Sequence, residues 1–223
     1  VTLRELISEF RVWADDTAQP YLWPDARVVG WFKDAEEQAC RRAELLVDSS
    51  TGELVTATAL ADEKWISLDP RVVRVMRARP TGRRPLPIIP RAEMDRTYAH
   101  WEDETGTDLV CLVPDMETRK LRVYPIPTAD VTVNLTIQRL PLEPLTRENL
   151  DAEPEIDPTY HIKLVHWVMH RAFATEDSDT QDVQKSAVHE REFSREFGPD
   201  PSAKGEVFMR AHGGHDWTPG DFA

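Results

Sequence analysis

The chain has 223 residues and a formal net charge of −13, with 40% hydrophobic and 30% charged residues. That length can bury a substantial core, and the acidity argues against gripping nucleic acid over a large surface. No run approaches the roughly 18 apolar residues of a membrane span, so no membrane partner is expected.

The opening "VTLRELISEF" carries acid among its apolar residues and has no small-residue cleavage site, so it does not read as a signal peptide. Thr2 and Glu5 have capping-box spacing, and Leu3, Leu6, Ile7, Phe10, Trp13 and Ala14 follow at helical period, which predicts a first helix ending near Asp15. The loop "DDTAQPYLWP" turns the chain, with Tyr21, Leu22 and Trp23 expected to plug the end of a helix pair. From Asp25 a helix of about twenty residues follows, with Val28, Phe32, Ala35, Ala39, Ala43 and Leu46 on its apolar side.

After "DSSTGE" the period drops from 3.6 to 2. "LVTATAL", "KWISL", "RVVRVMRA", "LVCLV", "LRVYPIP" and "VTVNLTIQRL" read as short strands, "PDMETRK" as a hairpin loop and "PRAEMDRTYAHWED" as a short helix. Prolines 80, 85, 87, 90, 125 and 127 keep several strands short or at edges. Helical period returns at Asp157, a good N-cap, with Pro158 as a good first residue. Leu164, Val165, Val168, Ala172 and Phe173 form one apolar face, and Val183, Ala187, Glu190, Phe193 and Phe197 continue as a further helix stopped by "FGPDP".

The fold class expected is α+β: a four-helix bundle with an inserted antiparallel β-sheet or small sandwich and an extended C-terminal arm. Residues 1–50 supply the first helix pair, 51–142 the inserted β domain, 143–198 the second helix pair and 199–223 the arm. Trp13, Phe32, Val168 and Phe173 are expected to be buried together. The arm cannot bury a core of its own, yet it holds Phe208, Met209, Trp217 and Phe222, which suits a docking segment.

Charge is unevenly spread. Residues 71–96 hold eight arginines against Glu93 and Asp95, a local +6, while residues 143–182 hold ten acids against three bases, a local −7. The asymmetry reads either as solvated surface or as complementary halves of a contact between copies. In the second case Arg71, Arg74, Arg77, Arg83 and Arg84 face Glu153, Glu155, Asp177 and Asp179 of a neighbour.

Chemistry finds little support. In "HWVMH" His166 and His170 lie four apart, a spacing that lets two imidazoles share a metal, but Trp167 stands where a zinc protease needs its Glu. "DSDTQD" lacks the central Gly and final Glu of a calcium loop. There is no GxxxxGK[ST], GxGxxG or GxSxG, and "HGGH" at 212–215 reads as a kink. No catalytic residue, metal ligand or cofactor is assigned. Cys40 and Cys111 fall in a helix and a strand and read as buried free thiols, which suits a reducing cytoplasm.

Several stretches together resemble a known family: "YLWPDARVVGWFKDAEEQACRRAELLVD", "DPRVVRVMRAR", "LRVYPIP" followed by "IQRLPLEPL", and "EIDPTYHIKLVHWVMHRAF" ending in "EFG". These segments are similar to the head-to-tail adaptor proteins of tailed bacteriophages, especially the tail tubular protein A-like connectors of short-tailed phages. Pro24 departs from the hydroxyl cap expected before Asp25. The resemblance implies a non-enzymatic structural protein, made in the host cytoplasm and placed in the virion at the head–tail junction. It implies a homo-oligomeric ring, usually twelvefold, under the portal protein, extending a channel that DNA crosses without specific binding and docking the tail or nozzle protein. Two alternatives stay open: a virion-associated peptidoglycan hydrolase, since some related connectors are linked to wall cleavage, and a DNA-contacting gate.

Overall fold

The computed structural model describes residues 1–175 and 181–211. The chain divides into two units, one formed by Val1–Leu46 with Leu140–Asp200 and the other by Val47–Arg139 with the segment from Pro201. Helix and sheet therefore segregate along the chain, as an α+β protein requires.

The first unit is helical. Helix α1 (Leu3–Trp13) begins with the expected capping box: Thr2 accepts from the Glu5 amide at 3.3 Å while Glu5 accepts from the Thr2 amide at 2.9 Å. Its next two free amides, Leu3 and Arg4, donate to the carbonyls of Ala152 and Leu150, each at 2.8 Å. Orphan donors of a helix start are thus satisfied by the second half of the same unit. Helix α2 (Asp25–Arg42) starts behind Pro24, which makes no side-chain cap, as the sequence indicated. Its core stripe is Val28, Val29, Phe32, Ala35, Ala39 and Cys40, whereas Ala43 and Leu46 lie beyond the helix and are half-buried.

A 3₁₀ turn (Pro158–Lys163), capped by Asp157, leads into α5 (Leu164–Ala174), and α6 (Val183–Phe197) follows. The apolar α5 packs against α1, α2 and α6. The shared core holds Leu3, Leu6, Phe10, Phe32, Val168 and Phe193. Helix α6 stops at Gly198, whose φ of 96° lies in the region that favours glycine.

Trp13 departs from its expected burial: it is 39% exposed. The returning loop takes its place, because Trp23 is 3% exposed and stands edge-on to both Phe10 and Phe173, with centroids at 5.7 Å in each case. Of the three residues expected to plug this end, only Trp23 is buried; Tyr21 lies over Arg11 and Leu22 is 58% exposed.

The second unit is mostly β. It contains β1 (Val47–Asp48), a one-turn α3 (Gly52–Val55), β2 (Thr56–Ala59), β3 (Trp65–Ser67), β4 (Val72–Pro80), α4 (Arg91–Thr97) and β5 (Thr105–Gly106). It continues with β6 (Cys111–Glu117), β7 (Lys120–Tyr124), β8 (Ile126–Pro127), β9 (Val131–Arg139) and, after the helical segment, α7 (Ala203–Ala211). Strand β9 is central: it pairs antiparallel with β1 and β2 along one edge and with β4 along the other. Its Val133, Leu135 and Ile137 are buried while Thr132 and Asn134 are exposed, the alternation of a sheet with one face on the core.

A second antiparallel sheet runs β3–β7–β6, and β5 and β8 form a short parallel pair. Residues 86 and 88 bridge the two sheets, Leu86 to Ala78 of β4 and Ile88 to Leu112 of β6. The hairpin loop expected at "PDMETRK" shrinks to Thr118 and Arg119, because β6 extends to Glu117 and pairs with Lys120. The C-terminal segment is not extended as expected: Ala203–Ala211 is a helix that packs on β6 and β4, and Arg210 pairs with Asp115 at 2.8 Å.

Phe32 is fully buried in the shared helical core. Phe32→Ala should cost about 3–5 kcal/mol in denaturant unfolding monitored by helical circular dichroism, the range for an aromatic truncated in a close-packed interior.

Candidate functional site

The candidate site is the charged surface, where the sequence concentrates opposite charges. On β4 two register shifts, between Val72 and Arg74 and between Val75 and Arg77, rotate the strand and turn Arg74 inward, where it is 5% exposed. This burial takes Arg74 out of the set of arginines expected to face a neighbouring copy. Arg77 and Arg79 then alternate with buried Ala78 and Pro80 and reach solvent.

The remaining arginines sort by partner. Arg71 pairs with Asp69 at 2.9 Å, and its hydrogen bond helps hold that carboxylate below its ordinary range. Arg79 Nε donates to the Arg83 carbonyl at 2.9 Å, and Arg83 pairs with Asp108 at 2.8 Å. Arg77 and Arg84 are exposed and make no ion pair among the described residues. Arg84 lines a groove of about 750 Å³ together with Arg83, Asp108, Val110 and Asp130.

In the helical unit the acidic segment is likewise sorted. Glu153 pairs with the N-terminal amine at 3.4 Å, and Glu155 accepts from the Leu142 amide at 2.7 Å. Glu143 and Glu148 are exposed without an ion-pair partner among the described residues. Asp177 and Asp179 lie outside the described residues, as do Trp217 and Phe222 of the docking segment and the "HGGH" kink. Phe208 and Met209 sit on α7 and are half-buried.

The two histidines of "HWVMH" take different partners. His170 Nδ1 lies 3.0 Å from the Ser186 hydroxyl, whereas His166 Nδ1 lies 3.0 Å from His189 Nδ1. His161 is fully buried, with Nε2 at 2.9 Å from the Ile156 carbonyl. Among the described residues no group of three or more His, Cys, Asp or Glu could hold a metal ion. Cys40 and Cys111 are free and buried, and burial pushes the Cys111 thiol up to about 11.

Of the three buried carboxyl groups, Asp16, Glu36 and Asp48, the fold clearly shifts the ionisation of the last two. Glu36 is 1% exposed on α2, and burial pushes it up to about 7 even though it accepts from the Glu155 amide at 2.5 Å. Its signal was present: Glu36 stands one turn beyond Phe32 and three residues before Ala39, on the apolar stripe. Asp48 is 6% exposed and pairs with Arg139 at 2.7 Å. Burial opposes its charge, but the Thr51 and Ser50 amides, the Thr51 hydroxyl and the Arg139 guanidinium outweigh that and hold it well below the usual carboxylate range.

A family model described as SU10 adaptor protein matches residues 1–210. The chain belongs to that family. Membership bears out the resemblance to phage head-to-tail adaptors. An SU10 adaptor is a structural protein rather than an enzyme, and membership implies assembly with phage portal and tail proteins and a place in the virion. None of the curated proteins matches the chain. No helix among the described residues is long and apolar enough to cross a membrane.

Both carboxyl groups give the adaptor a pH signature. Glu36 titrates higher folded than unfolded, so the folded state binds more protons between about pH 4.5 and 7 and stability falls as pH rises through that window. Glu36→Gln should therefore stabilise the helical unit by about 1–3 kcal/mol near pH 8 and by much less near pH 5, measured by urea unfolding. Asp48 has the opposite sign: its contribution is complete above the unfolded value of 3.8 and is lost as pH falls below it. Asp48→Asn should cost the β unit about 3 kcal/mol near neutrality by taking the carboxylate away from the buried Arg139 guanidinium. The gap to wild type should narrow below about pH 4.

Proposed function

We propose that this adaptor assembles as a ring of copies, twelve in number, under the portal protein, extends the channel through which DNA passes, and offers the tail or nozzle protein a docking surface. The observation that carries this reading is the family match over residues 1–210. In it, a four-helix bundle with an inserted β-sheet acts as a repeated stave, for which packing rather than chemistry is required. A head-to-tail contact between identical subunits closes into a ring when its rotation allows.

The charge pattern supports such a contact. Among the described residues, Arg77 and Arg84 on the β unit and Glu143 and Glu148 on the helical unit make no ion pair. Opposite charges left solvated on different units suit a contact in which one copy's arginines meet a neighbour's acids. Arg71, Arg83, Glu153 and Glu155 then serve mainly to order the segments that present them, because each already has a partner. The segment from residue 212 to 223, with Trp217 and Phe222, supplies the aromatic anchors that docking on the portal calls for.

With a charge of −13, free copies repel one another, and a portal template raises their local concentration. Analytical ultracentrifugation should find the protein weakly associated at micromolar concentration alone, and electron microscopy should find rings once portal is added. The double variant Arg77→Glu, Arg84→Glu should remain folded and lose at least about tenfold in ring formation on portal, with recovery when paired with Glu143→Arg, Glu148→Arg copies. Deleting residues 212–223 should weaken portal binding by a similar factor, about 1–2 kcal/mol. Wild-type protein that never forms rings with portal would overturn the reading itself.

A further inference from the structure

Three helices of the first unit each contribute one aromatic ring to a single cluster. His166 on α5 and His189 on α6 face each other through Nδ1 atoms 3.0 Å apart, with ring centroids at 5.3 Å. Trp13, the last residue of α1, lies over His189 at 6.4 Å with planes 28° apart and meets His166 edge-on at 5.2 Å. Both histidines are half-buried and Trp13 is 39% exposed, so water reaches the rim of the cluster.

An Nδ1-to-Nδ1 contact at this distance holds one proton. A neutral pair satisfies it when one ring donates and the other accepts. A singly protonated pair also satisfies it, through a charge-assisted N–H···N bond. Two imidazolium rings cannot, because both nitrogens then carry hydrogens aimed at each other and two positive charges lie within about 5 Å. We infer that His166, His189 and Trp13 form an acid-released joint: the folded helical unit accepts one proton on the pair, and the second parts the two rings and frees the end of α1 and the face of α6 from α5.

The surroundings do little to rescue the doubly charged state. On α6 the facing charges are Lys185, Glu192, Arg195 and Glu196; from the 3₁₀ turn and α5 they are Lys163 and His170; α1 presents the Trp13 indole. The two acids are already engaged, Glu192 with Arg195 and Glu196 with Lys163 at 3.7 Å. Burial lowers the pKa of both histidines, and for His189 the His166 ring is the next cause. The sign follows: groups that titrate lower folded than unfolded lend stability that is complete above the unfolded value of 6.5 and lost as pH falls below it.

The test compares wild type with His166→Gln and His189→Asn, whose amides do not titrate. Between about pH 7 and 5, the wild-type folded-to-unfolded ratio in urea should fall at least about tenfold further than that of either variant, one excluded proton's worth of linkage. Should a variant fail to fold, histidine NMR on the wild-type protein decides alone. The Trp13–His189 nuclear Overhauser contact should survive the first protonation of the pair and vanish with the second. Both rings observed as imidazolium with that contact intact, or a wild-type pH dependence within twofold of both folded variants, would overturn the inference.

Discussion

A β unit inserted between two halves of a helical core must leave and re-enter that core at one place, or the halves could not pack. The Asp48–Arg139 ion pair meets that constraint. Asp48 is the last residue of β1 and Arg139 the last of β9, and the two strands pair antiparallel through Val47 with Gln138 and Asp48 with Ile137. The bond therefore ties the two ends of the inserted stretch, Val47–Arg139. A buried pair is worth keeping only when its remaining hydrogen-bonding capacity is met. Here Asp48 also accepts from Ser50 and Thr51, which turns the outgoing chain directly into α3.

The same device recurs at other junctions. Arg11, 5% exposed, binds Asp16, the Trp23 carbonyl at 2.7 Å and Asp25 at 2.7 Å, so one guanidinium organises the whole α1–α2 turn. The Arg42 side chain, 1% exposed, lies against Trp167 and Phe193 and reaches Ser194 at 3.0 Å and Asp200 at 3.3 Å, closing the C-terminal end of α6. Arg122 sits between Trp65 and Trp101 and donates to the carbonyls of Lys64, Val123 and Glu102. A planar group with five donors can satisfy several loop acceptors at once, which a lysine cannot.

Internal pairing also changes what the charge pattern means. In the sequence the basic and acidic stretches are blocks, and a block suggests a surface. The fold spends much of each block on its own turns and caps, as with Arg71 on Asp69 and Glu155 on the Leu142 amide. Most of these pairs stay solvated, as with Arg83 and Asp108, and exposed pairs are worth little to folding.

The amino-acid sequence determined whatever depends on local periodicity and capping. The capping box at Thr2, the Asp157–Pro158 helix start, the alternation of Val133, Leu135 and Ile137 and the break at Gly198 are all written in spacings of two to four residues. Tertiary structure decided what depends on which elements meet. Trp13 and Trp23 carry equal hydrophobic signal, but only the loop's return over Phe10 selects Trp23 for the core. Arg74 reads like Arg77 until β-bulges on β4 turn it inward. His166 has a helical neighbour at 170 by spacing, yet its partner is His189, because α6 folds back onto α5. Spacing fixes a residue's face on its own helix or strand; only packing fixes what stands opposite that face.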